Sequence, residues 1–264
     1  MRELARALTP PALWRAGSRL WGGGSSAPAM FSGVFDSFAD IEDQQPWIRP
    51  SYLAVSKQLL QECRAGQMPP ASGTANAVVA FILNTSEART PRVLDWAGGT
   101  ALRYWSMRPS FQRQVAWHVV DKPELAALSR DVMGGDSVLH FSETWPEASP
   151  RFDVALIYAS LQYVEDQAAL LRDVAAYRPR FIVLARLMAL GGRSYVTRQR
   201  VHGFDTPCKV ANLDEVTATL ESAGFRTVLS IADGLDLSAH FGPDVPQPLR
   251  VGFEHLLVCR AADA

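Results

Sequence analysis

A chain of 264 residues with 48% apolar side chains can bury a sizeable core, which excludes wholesale disorder. Its 26 basic and 27 acidic residues leave a formal net charge of -1, too weak a field for a general nucleic-acid binder. Cys63, Cys208 and Cys259 are too few and too scattered for a disulfide framework or a paired zinc-ligand pattern, so no metal is expected and a reducing, cytoplasmic setting is.

Residues 1–30 combine a basic segment with a flexible linker. Arg2, Arg6, Arg15 and Arg19 alternate with Leu4, Leu8, Leu13 and Trp14, and GGGSSAPA follows at 22–29. The segment reads as a loosely docked terminal helix or as a weak peripheral membrane contact. No apolar run approaches the roughly 20 residues of a membrane span.

Residues 31–90 read as an N-terminal helical cap. In FSGVFDSF, aromatic residues at 31, 35 and 38 follow a helix-like spacing that Gly33 weakens, and a hydrophobic clip onto the main domain is the alternative. Helices are expected over Pro50–Ala65, with proline in the first turn and Gly66 behind it, and over Gly73–Ser86.

From residue 91 to 264 the pattern alternates. Strands are expected at Arg92–Trp96, Val115–Val120, Ser137–Phe141, Phe152–Tyr158 and Arg180–Ala185. Helices are expected near 100–108, 123–131, 165–177 and 212–223. Two late strands, Phe225–Ile231 and Gly252–Arg260, flank a long loop over 233–250. The order implies a doubly wound α/β fold: a mostly parallel, Rossmann-like sheet of seven strands whose last strand runs antiparallel.

The segment VLDWAGGTALRY at 93–104 carries the strongest chemistry. A strand ends in Asp95, a tight turn follows through Ala97, Gly98 and Gly99, and a helix then starts. Such a turn sits at the carboxyl edge of the sheet, where open α/β sheets bind ligands. Glycine lets backbone approach a ligand, the free N–H groups suit a carboxylate, and Asp95 suits an ammonium. The methionine end of S-adenosylmethionine carries both groups. The full acidic-x-Gly-x-Gly-x-Gly turn would place glycine at 97, 99 and 101, and here Ala97 and Ala101 replace two of the three. The nicotinamide fingerprint is not matched.

Asp121 ends the second strand, where a carboxylate accepts from ribose hydroxyls, with Lys122 beside it and Pro123 opening a helix. Ser142 or Glu143, after the third strand, suits the adenine. Ala159 and Ser160, after the fourth, would line the cofactor's far side, and Tyr163 would face the substrate or serve packing. A hydroxyl or amine acceptor needs a general base, for which His118, His140, His202 and Tyr163 are candidates. His202 sits in a region read as a polar loop, with Arg186, Arg193, Arg198, Gln199 and Arg200 nearby. Arg186, Arg198 and Gln199 are candidates for binding the substrate, and arginines there suit a carboxylate or phosphate.

Several of these segments, taken in order, resemble a sequence-defined family of bacterial methyltransferases with members in surface-polysaccharide gene clusters. They are PPALWR at 10–15, FSGVFDSF, VLDWAGGTALRY, WHVVDKPEL at 117–125, LHFSETW at 139–145, FDVALIYASLQYVED at 152–166, FIVLAR and YVTRQRV at 195–201. The resemblance implies the class I methyltransferase fold, S-adenosylmethionine as cofactor, and a small-molecule or saccharide acceptor. It leaves the acceptor undefined. This chain departs from it at Asp121, where glutamate is common, and at Ala185-Arg186, where Asp-Arg is common. A methyltransferase-like binding or scaffold protein without catalysis, and a nicotinamide-dependent oxidoreductase, are the competing readings.

Overall fold

The structure is a computed structural model that describes residues 29–69, 73–146 and 151–262. The basic N-terminal segment and all but the last residue of the linker lie outside the described residues. In chain order the elements are β1 (Phe31–Phe35), α1 (Pro50–Arg64), α2 (Thr74–Thr85), β2 (Arg92–Trp96), α3 (Leu102–Met107), β3 (Ala116–Val120), α4 (Pro123–Met133) and β4 (Leu139–Ser142). They continue with β5 (Val154–Tyr158), α5 (Gln167–Ala176), β6 (Phe181–Leu187), β7 (Ala189–Leu190), β8 (Tyr195–Val201) and β9 (Phe204–Asn212). Last come α6 (Leu213–Ser222), β10 (Phe225–Asp236) and β11 (Phe253–Ala261).

The main sheet has the order β10-β11-β6-β5-β2-β3-β4. β2, β3, β4, β5 and β6 pair in parallel, and β11 lies antiparallel between β6 and β10. This is the expected seven-stranded, doubly wound sheet with its last strand antiparallel. Its strands are short apolar runs because both faces are covered. One face carries Val93, Trp117, Val119, Leu156 and Val183, packed with Leu60 of α1, Leu83 of α2 and Met133 of α4. The other carries Leu94, Ile157, Ile182 and Leu257, packed against Leu171 of α5 and Leu220 of α6. Helix ends obey local chemistry. The Asn212 side chain accepts from the N–H groups of Asp214 and Glu215 and so caps α6. Asp166 caps α5 in the same way through Ala169 N–H.

Three expectations are corrected. Phe31–Phe35 is a strand, not a helix: it pairs antiparallel with β8 and is bulged between Ser32 and Phe35. The bulge sets Phe31 opposite Gln199 and Phe35 opposite Val196, on opposite faces, so the aromatic spacing reflects no shared helical face. The region read as a polar loop is a β-hairpin, β8 and β9, paired from Tyr195–Val210 to Val201–Phe204. With β1 and β7 it forms a second, four-stranded sheet of order β1-β8-β9-β7. The stretch 233–250 is also less loop-like than expected. β10 runs to Asp236, and Leu237, Phe241 and Val245 bury themselves with Phe31, Tyr195 and Cys208 under the second sheet.

Helix α1 shares its core with the main sheet, so the cap and sheet should unfold together. Leu60 is fully buried at their junction. Leu60→Ala should cost about 2–5 kcal/mol. In urea, fluorescence and circular dichroism midpoints should fall together as one transition; separate transitions would mean that the cap is an independent unit.

Candidate active site

The chain passes β2, β3, β4 outward in one direction and β5, β6 in the other. The switch point is therefore between β2 and β5, and the turns leaving those strands flank a crevice at the carboxyl edge. The β2 turn is stitched to its neighbours: Ala97 N–H donates to Val120 O at 2.7 Å, and Ser160 Oγ reaches Trp96 O at 3.4 Å. Ala159 N–H donates to Ala185 O at 2.8 Å on the other flank.

This edge holds unusual backbone. Ala97, Gly99 and Ala101 have φ of 53°, 60° and 58°, a left-handed residue at every second position. Ala159 at 54° and Arg186 at 52° repeat the conformation after β5 and within β6. Left-handed backbone costs an L-residue roughly 1–2 kcal/mol, and such strain gathers where a site must be shaped. The alanines at 97 and 101 therefore keep the backbone conformation that glycine adopts freely.

Asp95 is completely buried beneath the turn. Trp117 Nε1 donates to its Oδ2 at 2.8 Å, while Oδ1 has no hydrogen-bond partner among the described residues. A Cβ at position 98 would run into this carboxylate, so only glycine fits above it. Burial, partly offset by the Trp117 hydrogen bond, pushes the Asp95 carboxyl up to about 7. Asp121 is half-buried, and its two oxygens accept from Gly99 N–H and Lys122 N–H, each at 2.7 Å. Its carboxyl is raised by burial, against those two hydrogen bonds. Each oxygen retains a second lone pair. Ser142 lies at the next strand end, its hydroxyl 3.0 Å from His118 Nε2 and donating to Thr144 O at 2.7 Å. His118 is thereby occupied in the sheet, and Glu143 is exposed.

A cluster of aromatic side chains reaches the neighbourhood of Asp121 through Tyr52. Trp47 meets Tyr52 at 5.4 Å, Tyr163 at 5.2 Å and His202 at 6.4 Å, and Tyr52 meets His202 at 5.6 Å. Tyr52 also lies close enough to Asp121 for that charge, after burial, to raise its phenol pKa. His202 occupies the two-residue tip of the β8–β9 hairpin, with φ of 52°. Its imidazole pKa is lowered by burial, which leaves it neutral and able to accept a proton at neutral pH. Tyr163 Oη donates to Gln199 Oε1 at 3.0 Å, and burial lifts its pKa far above the usual phenol value, so it is a donor and not a base.

The structure thus brings together Tyr163, Gln199 and His202, and sets Asp95, Ala97, Gly98, Gly99, Asp121, Lys122, Ser142, Ala159 and Ser160 along one sheet edge. It does not bring Arg198 to the same face. Arg198 and Arg200 alternate with Gln199 along β8, and both turn to Asp205, at 3.9 and 2.8 Å. Arg186 Nε donates to the buried Glu254 at 2.8 Å. Ala185 is in the core, where an acid would be a buried charge. Trp47 and Tyr52 were not singled out in the sequence. They precede or open an ordinary amphipathic helix, and only the hairpin's position gives them a partner.

The raised Asp95 carboxyl has a sign that can be checked. A folded-state value above the unfolded one gives stability that is complete below the ordinary carboxyl range and lost as pH rises through about 7. Asp95→Asn should therefore melt higher than the parent at about pH 8, with the gap closing as pH falls toward about 4. Equal melting temperatures at both ends would place the strain elsewhere.

No protein-family model matches the chain, and no curated protein matches it. Solved structures do. A chain from the Haloferax volcanii complex between the Trm112 methyltransferase activator and a candidate methyltransferase is 14% identical, covers 80% of this chain and 94% of its own, and has a TM-score of 0.50. Mitomycin 7-O-methyltransferase MmcR is 16% identical over 85% of this chain with a TM-score of 0.48, and this chain spans only 60% of that protein's length. Burkholderia thailandensis 1,6-didemethyltoxoflavin-N1-methyltransferase, solved with S-adenosylhomocysteine, is 19% identical over 84% of this chain and 94% of its own, with a TM-score of 0.46. Together with the strand order, the first of these establishes that the chain has the class I methyltransferase fold.

Proposed function

We propose that the protein is an S-adenosylmethionine-dependent methyltransferase acting on a small-molecule or saccharide acceptor. The observation that carries the reading is the Gly99 N–H bond to Asp121, which ties the left-handed β2 turn to the acid ending β3 at the switch point. Two features fit the cofactor. The Asp95 oxygen without a partner among the described residues would serve as a buried counter-charge for a cationic ligand end, and Asp121, at the end of β3, would accept from ribose hydroxyls. Ala97, Gly98 and Gly99 would meet the methionine end, with Asp95 acting from behind Gly98. Lys122 and Ser142 would flank the adenosine, and Ala159 and Ser160 would line the far side.

When bound, S-adenosylmethionine supplies an electrophilic methyl group for in-line transfer. The protein's share is alignment and a dry wall. His202 takes the acceptor's proton, Tyr163 holds Gln199 in place, and the rings of Trp47 and Tyr52 favour a dispersed positive charge. A saccharide acceptor, with surface-polysaccharide modification as its setting, is supported by the sequence resemblance alone. Work in the cytoplasm is supported by Cys63, Cys208 and Cys259, all buried free thiols. Among the described residues no cluster of metal-ligating side chains occurs, and no helix is long and apolar enough to cross a membrane.

Calorimetric titration with S-adenosylmethionine and S-adenosylhomocysteine tests the reading. The parent should bind both, Asp121→Ala should lose about tenfold or more in affinity for each, and Asp95→Asn should lose more for the cationic sulfonium than for the neutral thioether. A well-folded parent that binds neither ligand would overturn the proposal. A second expectation concerns the base: His202→Ala should lower kcat by about 10²-fold while leaving S-adenosylhomocysteine binding intact, with activity rising through the parent's imidazole pKa, below the ordinary 6.5. An unchanged pH–rate profile would remove His202 from the chemistry.

A further inference from the structure

Two arginines at the carboxyl edge have donors to spare. Arg186 sits where β6 bulges: Leu184 pairs with Leu257 and Leu187 with His255, so Ala185 and Arg186 together face Leu256 of β11. Arg186 takes its left-handed φ of 52° at this bulge. Bulges re-aim side chains and gather beside active sites. The Arg186 Nε–H goes to Glu254 at 2.8 Å, and Glu254 is only 3% exposed. The N–H groups on the Nη atoms have no acceptor among the described residues, and the side chain is 39% exposed. The buried acid therefore fixes the guanidinium while its remaining donors stay available.

Arg186 also lies within electrostatic reach of the Tyr158 and Tyr163 phenols. Tyr158, half-buried at the end of β5, carries the second arginine: Arg103 of α3 holds its Cζ 4.2 Å from the centre of that ring. Arg103 forms no ion pair among the described residues, and a ring face takes up its charge without a hydrogen-bond acceptor. Asp95 is within its electrostatic reach but is fully buried, with its carboxyl pushed up to about 7. Glu254 balances one guanidinium, and Asp95 would answer to the cationic cofactor. One positive charge at the switch point is left over.

We propose that the acceptor carries an anionic group, a carboxylate or a phosphate, which binds at Tyr158 between Arg103 and the free Nη groups of Arg186. The inference rests on the methyltransferase reading and narrows it. The anion is the handle and not the atom methylated, because charge-assisted hydrogen bonds from two guanidinium groups engage its lone pairs. Arg198 and Arg200 take no part, being turned to Asp205. Glu254 is a positioning residue that acts through Arg186.

Calorimetry on the full chain saturated with S-adenosylhomocysteine tests this, with inorganic phosphate and acetate as probes and ionic strength held constant by chloride. The cofactor product brings its own carboxylate, so an anion that binds on top of it is a second one. At least one probe should bind saturably at one site, and the tighter of the two tells phosphate from carboxylate. Arg103→Gln and Arg186→Gln should each weaken it about tenfold, and Arg200→Gln should leave it unchanged. All three variants should bind S-adenosylhomocysteine as the parent does. Failure of both probes to bind, or binding that survives either substitution at 103 or 186, would overturn the proposal. So would a loss of S-adenosylhomocysteine affinity in a folded Arg103→Gln, which would give Arg103 to the cofactor's carboxylate instead. Arg186→Gln leaves Glu254 buried and alone. Should that variant not fold, Arg186→Lys replaces it: lysine keeps a charge for Glu254 but not the fork, so the anion should still weaken several-fold, and unchanged binding would count against the proposal. If the parent itself binds no S-adenosylhomocysteine, the methyltransferase reading fails first and the acceptor inference falls with it.

Discussion

Everything at the carboxyl edge depends on one buried carboxylate. Asp95 lies under the turn that its own strand feeds, fixed by Trp117 from the neighbouring strand, with one oxygen unsatisfied among the described residues. A free-standing protein has no use for such an arrangement, because burial holds the carboxyl near 7 and works against ionisation. The cost makes sense if a cation arrives from the crevice to complete the pair. The same carboxylate explains why position 98 is glycine: there is no room for a Cβ between it and the backbone above. Asp121 then fixes the turn from the other side through Gly99. Two acids and a three-residue turn are thereby locked into one unit before any ligand is present, which is the preorganisation that a binding site needs.

The second sheet supplies what the main sheet lacks. A doubly wound sheet provides a ligand crevice at its switch point but no wall facing it. The β8–β9 hairpin leaves and rejoins the domain between β6 and α6, and β1 adds a strand from the far N-terminal side. Its tip sets His202 against Trp47 and Tyr52, and Tyr163 meets Trp47 as well, so three distant parts of the chain meet at one place. The charged pairs on β8 hold that hairpin rigid: Arg198 and Arg200 against Asp205, with Asp43 and Gln44 bonded to Thr206 and Asp205 from the segment before α1. Surface ion pairs of this kind contribute little stability alone but fix geometry where several share one carboxylate.

The main sheet was legible in the sequence because its signals are local. Short apolar runs separated by capped helices specify both-face burial, and Arg92–Trp96 ends where Asp95 and the glycine turn said it should. The second sheet was not legible, because YVTRQRV hides its alternation under four consecutive polar side chains, Thr197 to Arg200, that pair across strands or with other elements. The missed signal was the His202-Gly203 dipeptide between two strand-like runs, a two-residue hairpin turn with both residues left-handed. Site acids were visible because they end strands. Trp47 and Tyr52 were not, because an aromatic wall is a tertiary object: nothing near them in sequence says that His202 lies opposite.

The two alanines bear on whether such a site can be active. In sequence, Ala97 and Ala101 look like the loss of a glycine turn and so favour a silent relative. In the fold they adopt φ of 53° and 58°, the same hand as Gly99 between them. The turn has kept its shape and accepts strain of about 1–2 kcal/mol per residue to do so. A chain released from ligand binding would be free to shed that strain through a single Ala→Gly change or a relaxed turn, and to replace the buried Asp95 by an apolar residue beside Trp117. This chain retains the strained backbone and the half-satisfied acid. The strained turn and the half-satisfied acid each cost stability, and the cationic methyl donor proposed above would give both a use.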